Sequence, residues 1–187
     1  MKKVKVLSVV SVLLLSFVLL AGCSNSEQKT TQGTVKTGLG QSISIQNSKD
    51  ATADADGVAQ VDATIAAVSV DDAGKIVSVK IDQIQTPVSF SKAGAITADK
   101  TAELKTKVEK GEEYGMKKAS SIGKEWYEEI AALEAWMVGK TIDEVKAMKT
   151  KESDGKILTD EPDLTSSVTI SVGEFIEVVE EAITNAK

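Results

Sequence analysis

Val58-Ala59-Gln60-Val61-Asp62-Ala63-Thr64-Ile65-Ala66-Ala67-Val68-Ser69-Val70 runs through Asp71-Asp72-Ala73-Gly74-Lys75 into Ile76-Val77-Ser78-Val79-Lys80-Ile81-Asp82. The first run is long, rich in β-branched residues and free of Gly and Pro. In the last, Val77, Val79 and Ile81 alternate with Ser78, Lys80 and Asp82, the period of two of a strand with one face buried. A Gly-containing turn between two such runs predicts an antiparallel hairpin. Thr86-Pro87 is expected to end the second strand, because proline gives a ladder no N–H.

Upstream, Ser42-Ile43-Ser44-Ile45 alternates and suits an edge strand, and residues 47–57 are polar and read as a loop. Asp50, Asp54 and Asp56 in that loop lack the distal glutamate of a calcium loop. Downstream, Thr97 to Lys110 is helix-prone, with Ala98, Ala102, Leu104 and Val108 among charged residues. Trp126, Ile130, Leu133 and Met137 recur at helical spacing in a helix opened near Ser121, with Gly139 as its C′ residue. Thr141-Ile142-Asp143-Glu144 is a capping box for a helix through Met148. Asp154-Gly155 is a turn and Ile157-Leu158 a brief strand. Val168-Thr169-Ile170 is strand-like. Ser171-Val172-Gly173-Glu174 reads as a second capping box, leading into a terminal helix with Phe175, Ile176, Val179 and Ile183 inward. This order predicts an α+β fold: an antiparallel sheet built on a hairpin, with packed helices and a C-terminal amphipathic helix.

The amino terminus carries an address. Met1-Lys2-Lys3-Val4-Lys5 is basic, Val6 to Leu20 is apolar, and Leu20-Ala21-Gly22 supplies small residues before Cys23. That is the layout of a secretory signal peptide. Leu20-Ala21-Gly22-Cys23 also resembles the lipobox of bacterial lipoproteins. The resemblance implies cleavage before Cys23, acylation of its thiol, and anchoring to the outer face of the cell membrane. Two acyl chains suffice for stable anchoring. The expected division is a signal peptide over residues 1–22, a flexible tether over 23–34 and a single α+β domain over 35–187.

Composition excludes whole classes of function. The chain has 22 basic and 28 acidic residues and no His. Residues 1–22 hold three of the basic residues and none of the acidic ones, which leaves 19 against 28 and a mature net charge of about −9. Such a charge repels nucleic acid. Without His, Ser-His-Asp and Cys-His nucleophilic arrangements are absent, as are His-built zinc and haem sites, so no hydrolytic constellation is expected. All basic residues are Lys, so an anion site must use lysine, backbone N–H groups or a helix N-terminus. Tyr114 to Lys124, with two glycines, several small residues and three lysines, has the composition of an anion-cradling connection.

The septet Asp163-Leu164-Thr165-Ser166-Ser167-Val168-Thr169 resembles the motif of bacterial FMN-binding domains found in extracytoplasmic electron-transfer flavoproteins. That motif reads Asp, two variable residues, Ser or Thr, a small residue, Ala, then Thr or Ser. Asp163, Ser166 and Thr169 fall at the matching places; Ser167 stands where glycine is usual and the larger Val168 where alanine is usual. The resemblance, extending over about residues 58–187, implies FMN held at Thr169 with Asp163, Ser166 and Ser167 around it. It also implies a flavin transferase and membrane electron donors as partners. Ser171, at an expected helix start, would favour the phosphate, and Trp126, Tyr127, Trp136 and Tyr114 are aromatic surfaces for the flavin ring. Two functions follow as expectations: a lipid-anchored FMN-binding electron carrier, or a cofactor-free domain of the same fold that binds ligands or partners at the cell surface.

Overall fold

The computed structural model describes residues 33–187; the expected signal peptide, Cys23 and most of the expected tether lie outside the described residues. Strand β1 (Lys36–Ser44), β2 (Gly57–Val70) and β3 (Ile76–Phe90) form one antiparallel sheet in that spatial order. Helices α1 (Lys107–Lys110), α2 (Trp126–Met137) and α3 (Ile142–Lys146) follow. A short hairpin of β4 (Thr150–Ser153) and β5 (Lys156–Thr159) precedes the closing helix α4 (Gly173–Thr184). The fold is α+β with antiparallel sheets and a C-terminal helix.

The central hairpin forms as its residues dictate. Asp71 Oδ1 accepts from the N–H groups of Ala73 and Lys75 at 2.9 Å, and Gly74 takes φ 74°, a left-handed conformation that glycine adopts without penalty. The phase of β3 is the expected one at Val79 and Ile81, which are buried, and departs from it at Val77. The register shifts opposite Ser69/Val70, where Val77 is an extra residue on β3, so Ile76 is buried while Val77 is exposed; an inserted residue turns the side chains beyond it to the other face. Strand β3 also passes through Pro87, which pairs with Gln60, and ends at Phe90. It is an edge strand, where a missing N–H costs no ladder bond.

The helix expected over Thr97–Lys110 shrinks to α1. Asp99 Oδ1 instead accepts from the Thr101 N–H and hydroxyl, and Thr106 caps a helix that starts only at Lys107. Such local bonds compete with helix formation, and Leu104 is exposed, so the intended apolar face has nothing to pack on. Helix α2 begins at Trp126 behind Glu125 rather than near Ser121, and its stripe of Trp126, Ile130, Leu133 and Met137 is buried, with Gly139 at φ 83° beyond its end. The Thr141/Glu144 capping box is present, although α3 ends before Met148. Asp154 and Gly155 both have positive φ in the two-residue turn of β4–β5, the geometry that matches strand twist.

Two expectations near the C-terminus fail. Val168-Thr169-Ile170 is not a strand: the Thr169 and Ile170 N–H groups donate to a carboxylate and that of Val168 to the Leu164 carbonyl, none of them to a ladder. Ser171 does not cap α4; its hydroxyl donates to the Ile157 carbonyl, and Val172 occupies the N-cap with no side-chain bond.

Helix α4 buries Phe175, Val178, Val179 and Ala182 against the sheet, with Ile176 and Ile183 only half-buried. It lies directly on β1 because that strand has no side chain in the way. A Cβ on Gly38 would fall 1.9 Å from the Ala182 carbonyl oxygen, and one on Gly40 the same distance from that of Val178. Backbone cannot yield as a flexible side chain can, so any side chain here lifts the helix off the sheet. Gly40→Ala is therefore expected to lower unfolding free energy by about 3 kcal/mol or more, read from denaturant melts; a loss below 1 kcal/mol would contradict this packing.

Candidate functional site

The residues that organise the site are acidic and buried. Helix α2 and its N-cap carry Glu125, Glu129 and Glu134, at 3%, 0% and 6% exposure. Each carboxylate accepts N–H groups from a neighbouring segment, which is how a buried charge is satisfied. Glu125 takes those of Met116 (2.8 Å) and Lys117 (3.0 Å). Glu134 takes that of Ile81 at 2.8 Å and pairs with Lys80 at 2.6 Å.

Glu129 is the most heavily used. Its Oε2 accepts from the N–H groups of Thr169 at 2.5 Å and Ile170 at 3.0 Å. The Thr169 hydroxyl lies 3.0 Å from both carboxylate oxygens, and the Ser120 hydroxyl donates to Oε1 at 3.0 Å. One carboxylate thus ties the 120 loop, α2 and the approach to α4 together.

Those same three segments wall a cavity of about 720 Å³, within the range of small-molecule and cofactor sites. Trp126, Thr169 and Ser171 of the expected site residues line it. Trp126 also packs edge-on against Phe175, centroids 6.0 Å apart at 72°. From the rest of the septet, Thr165 and Val168 reach the wall, whereas Asp163, Ser166 and Ser167 do not; Asp163 and Ser166 are exposed and Ser167 is half-buried. The connection singled out for its glycines and serines contributes Tyr114, Met116, Ser120 and Ser121. Tyr127 lines a separate groove with Ile65, Ile84 and Ile130, and Trp136 lies under Lys140, whose Nζ is 4.3 Å from the ring centroid.

Three cations on the cavity were not singled out by sequence. Lys151 and Lys156 come from the β4–β5 hairpin and Lys107 from the first turn of α1. Lys107 is only 7% exposed. Its Nζ donates to Gln83 Oε1 and stands 5.0 Å from the Tyr114 ring centroid and 5.3 Å from that of Trp126. Among the described residues no carboxylate reaches ion-pairing distance of it. Burial pushes its ammonium down to about 8, against the opposing pull of Asp62, Glu174 and Asp82 at longer range. Among the described residues, Glu174 is the one acidic side chain on the cavity wall.

Chemically, the cavity offers aromatic faces, lysine cations and the first turn of an uncapped helix. It holds no group of three or more metal-ligating side chains among the described residues. Also among the described residues, no helix is long and apolar enough to cross a membrane.

Comparison with known proteins gives one curated relative at this level of similarity. A chlorophenol reductase of Desulfitobacterium hafniense is 35% identical over 102 residues, covering 49% of this chain and 31% of the relative. The chain thus spans about a third of that protein's length. No family model matches the chain, and no solved structure does.

Replacing Glu129 tests whether the wall depends on it. Glu129→Ala leaves buried donors without acceptors, each worth about 1–3 kcal/mol. We expect a loss of at least ~3 kcal/mol in denaturant melts, with Glu129→Gln less damaging because it keeps one acceptor oxygen. Equal stability of wild type and the alanine variant would contradict the assignment.

Proposed function

We propose that this chain is a lipoprotein anchored through Cys23 to the outer face of the cell membrane, and that its domain is an electron carrier binding FMN in the cavity lined by Trp126 and Thr169. The supporting observation is the convergence of an aromatic wall, lysine cations and the start of α4 on one space of cofactor size. The septet that resembles the FMN-binding motif contributes Thr165, Val168 and Thr169 to the same wall. The partial relative carries a reductase's name, which is in keeping with a redox role.

The residues divide the work. Trp126 and Tyr114 present ring surface and edge to a planar ligand, and Met116 and Phe175 exclude water around it. Lys151, Lys156 and the unsatisfied N–H groups of the first turn of α4 suit a phosphate, in a chain whose cations are all lysines. FMN, when bound, supplies the electron-transfer chemistry of its ring.

Glu129 bears on the manner of attachment. The Thr169 hydroxyl already donates to that carboxylate. A phosphoester there would remove the proton and set a phosphate beside a buried carboxylate. Like charges 4 Å apart repel by roughly 4 kcal/mol at an effective dielectric of 20. FMN held by the cavity without an ester is the form this geometry favours.

A second reading, a cofactor-free module that binds surface partners, draws on the far side of the sheet. Leu39, Ile43 and Val61 are exposed at 54%, 64% and 45%, and the pairing register puts all three on one face.

An absorption spectrum of the mature protein, exported from cells that make flavin transferase, separates the two. We expect a flavin band that acid precipitation releases into the supernatant. A colourless protein contradicts the carrier, and flavin that stays with the precipitate in wild type but not in Thr169→Ala contradicts non-covalent holding.

A further inference from the structure

Lys107 is out of keeping with a purely structural cation. It is nine-tenths buried, lacks a carboxylate partner among the described residues, and uses one hydrogen bond on Gln83. An ammonium has three donors; beyond Gln83, the Nζ has the rings of Tyr114 and Trp126 and the cavity beside it. Burying a cation without a counter-ion is costly. Part of that cost is offset by the two aromatic faces, since cation–π contacts strengthen when desolvated. The burden also shows in the direction of its titration, which burial drives down to about 8. At neutral pH the lysine is still charged.

The cost makes chemical sense if the counter-charge arrives with the ligand. Lys107 lines the cavity beside that aromatic wall, its Nζ over the rings of Tyr114 and Trp126. We propose that Lys107 is the ring-side counter-ion of this site, and that the cavity therefore binds an anionic planar ring in preference to a neutral one. The assignment rests on the flavin reading when that ring is FMN. The oxidised isoalloxazine is neutral, and uptake of two electrons and one proton makes it a monoanion. A fixed cation beside the ring then stabilises the reduced form and raises the potential of the bound couple, in the way a charge near a cofactor ring tunes it. Lys151 and Lys156 do not discriminate in this manner, because the phosphate they suit carries the same charge in both states.

The test uses the mature protein at pH 7 and titrates it anaerobically with FMN, oxidised or reduced by dithionite. Wild type is expected to bind the reduced form about tenfold more tightly or better, which is ~30 mV in a two-electron couple. Lys107→Met keeps an unbranched apolar side chain and removes the charge. It should lose most of that preference while its flavin-free thermal midpoint rises above that of wild type. Should the methionine variant not fold, Lys107→Gln, neutral and still able to bond Gln83, gives the same readout. A preference that survives loss of the charge overturns the role of Lys107 and leaves the flavin reading standing. So does a variant that is less stable and binds both forms equally weakly, since that marks a structural lysine. Failure of wild type to bind FMN in either state overturns the flavin reading, and this inference with it.

Discussion

A carboxylate with no access to water holds the candidate site together. Glu129 sits on the inward face of α2 and receives two backbone N–H groups and two hydroxyls from outside its helix. Those donors belong to segments with no ladder or helix partners of their own at these positions. Burying their N–H groups unpaired would cost several kcal/mol in total. The charge of Glu129 is likewise tolerable only because the donors surround it. Neither side is stable in the interior without the other, so the 120 loop, α2 and the Thr169 turn are placed as one unit.

The same device recurs along α2. Glu125 fastens the 116–117 turn and Glu134 fastens β3. A helix whose apolar stripe faces the core thus also carries acidic side chains that staple the irregular backbone around it. The sheet supplies the rigid base, with α4 laid against β1 through Gly38 and Gly40. The cavity opens where the stapled turns leave space between α4, the β4–β5 hairpin and Trp126.

Local features of this architecture were legible in the sequence. The β2–β3 hairpin follows from alternation around Asp71–Lys75, the α2 stripe from its helical period, and the α3 start from Thr141 and Glu144. All of them are decided by neighbours a few residues apart. What could not be read depends on contacts between distant segments. Glu129 looks like any solvated glutamate, since no period of apolar residues distinguishes a carboxylate that turns inward to meet Thr169. Lys107, Lys151 and Lys156 share a cavity only because two separate elements bring them there. Ser171 and Glu174 satisfy the spacing of a capping box, yet Ser171 bonds to Ile157 across the fold. Val77 fits a two-residue alternation, yet it is the extra residue of a bulge in its own strand.

The central claim is that a planar anionic cofactor lies against Trp126. Quenching of indole fluorescence on addition of FMN to the flavin-free mature protein reads this most directly, because of the two tryptophans only Trp126 lines the cavity. Saturable quenching at one FMN per chain, kept in Trp136→Phe and lost in Trp126→Phe, is the result this account predicts. Quenching that never saturates, or that follows Trp136, would contradict it.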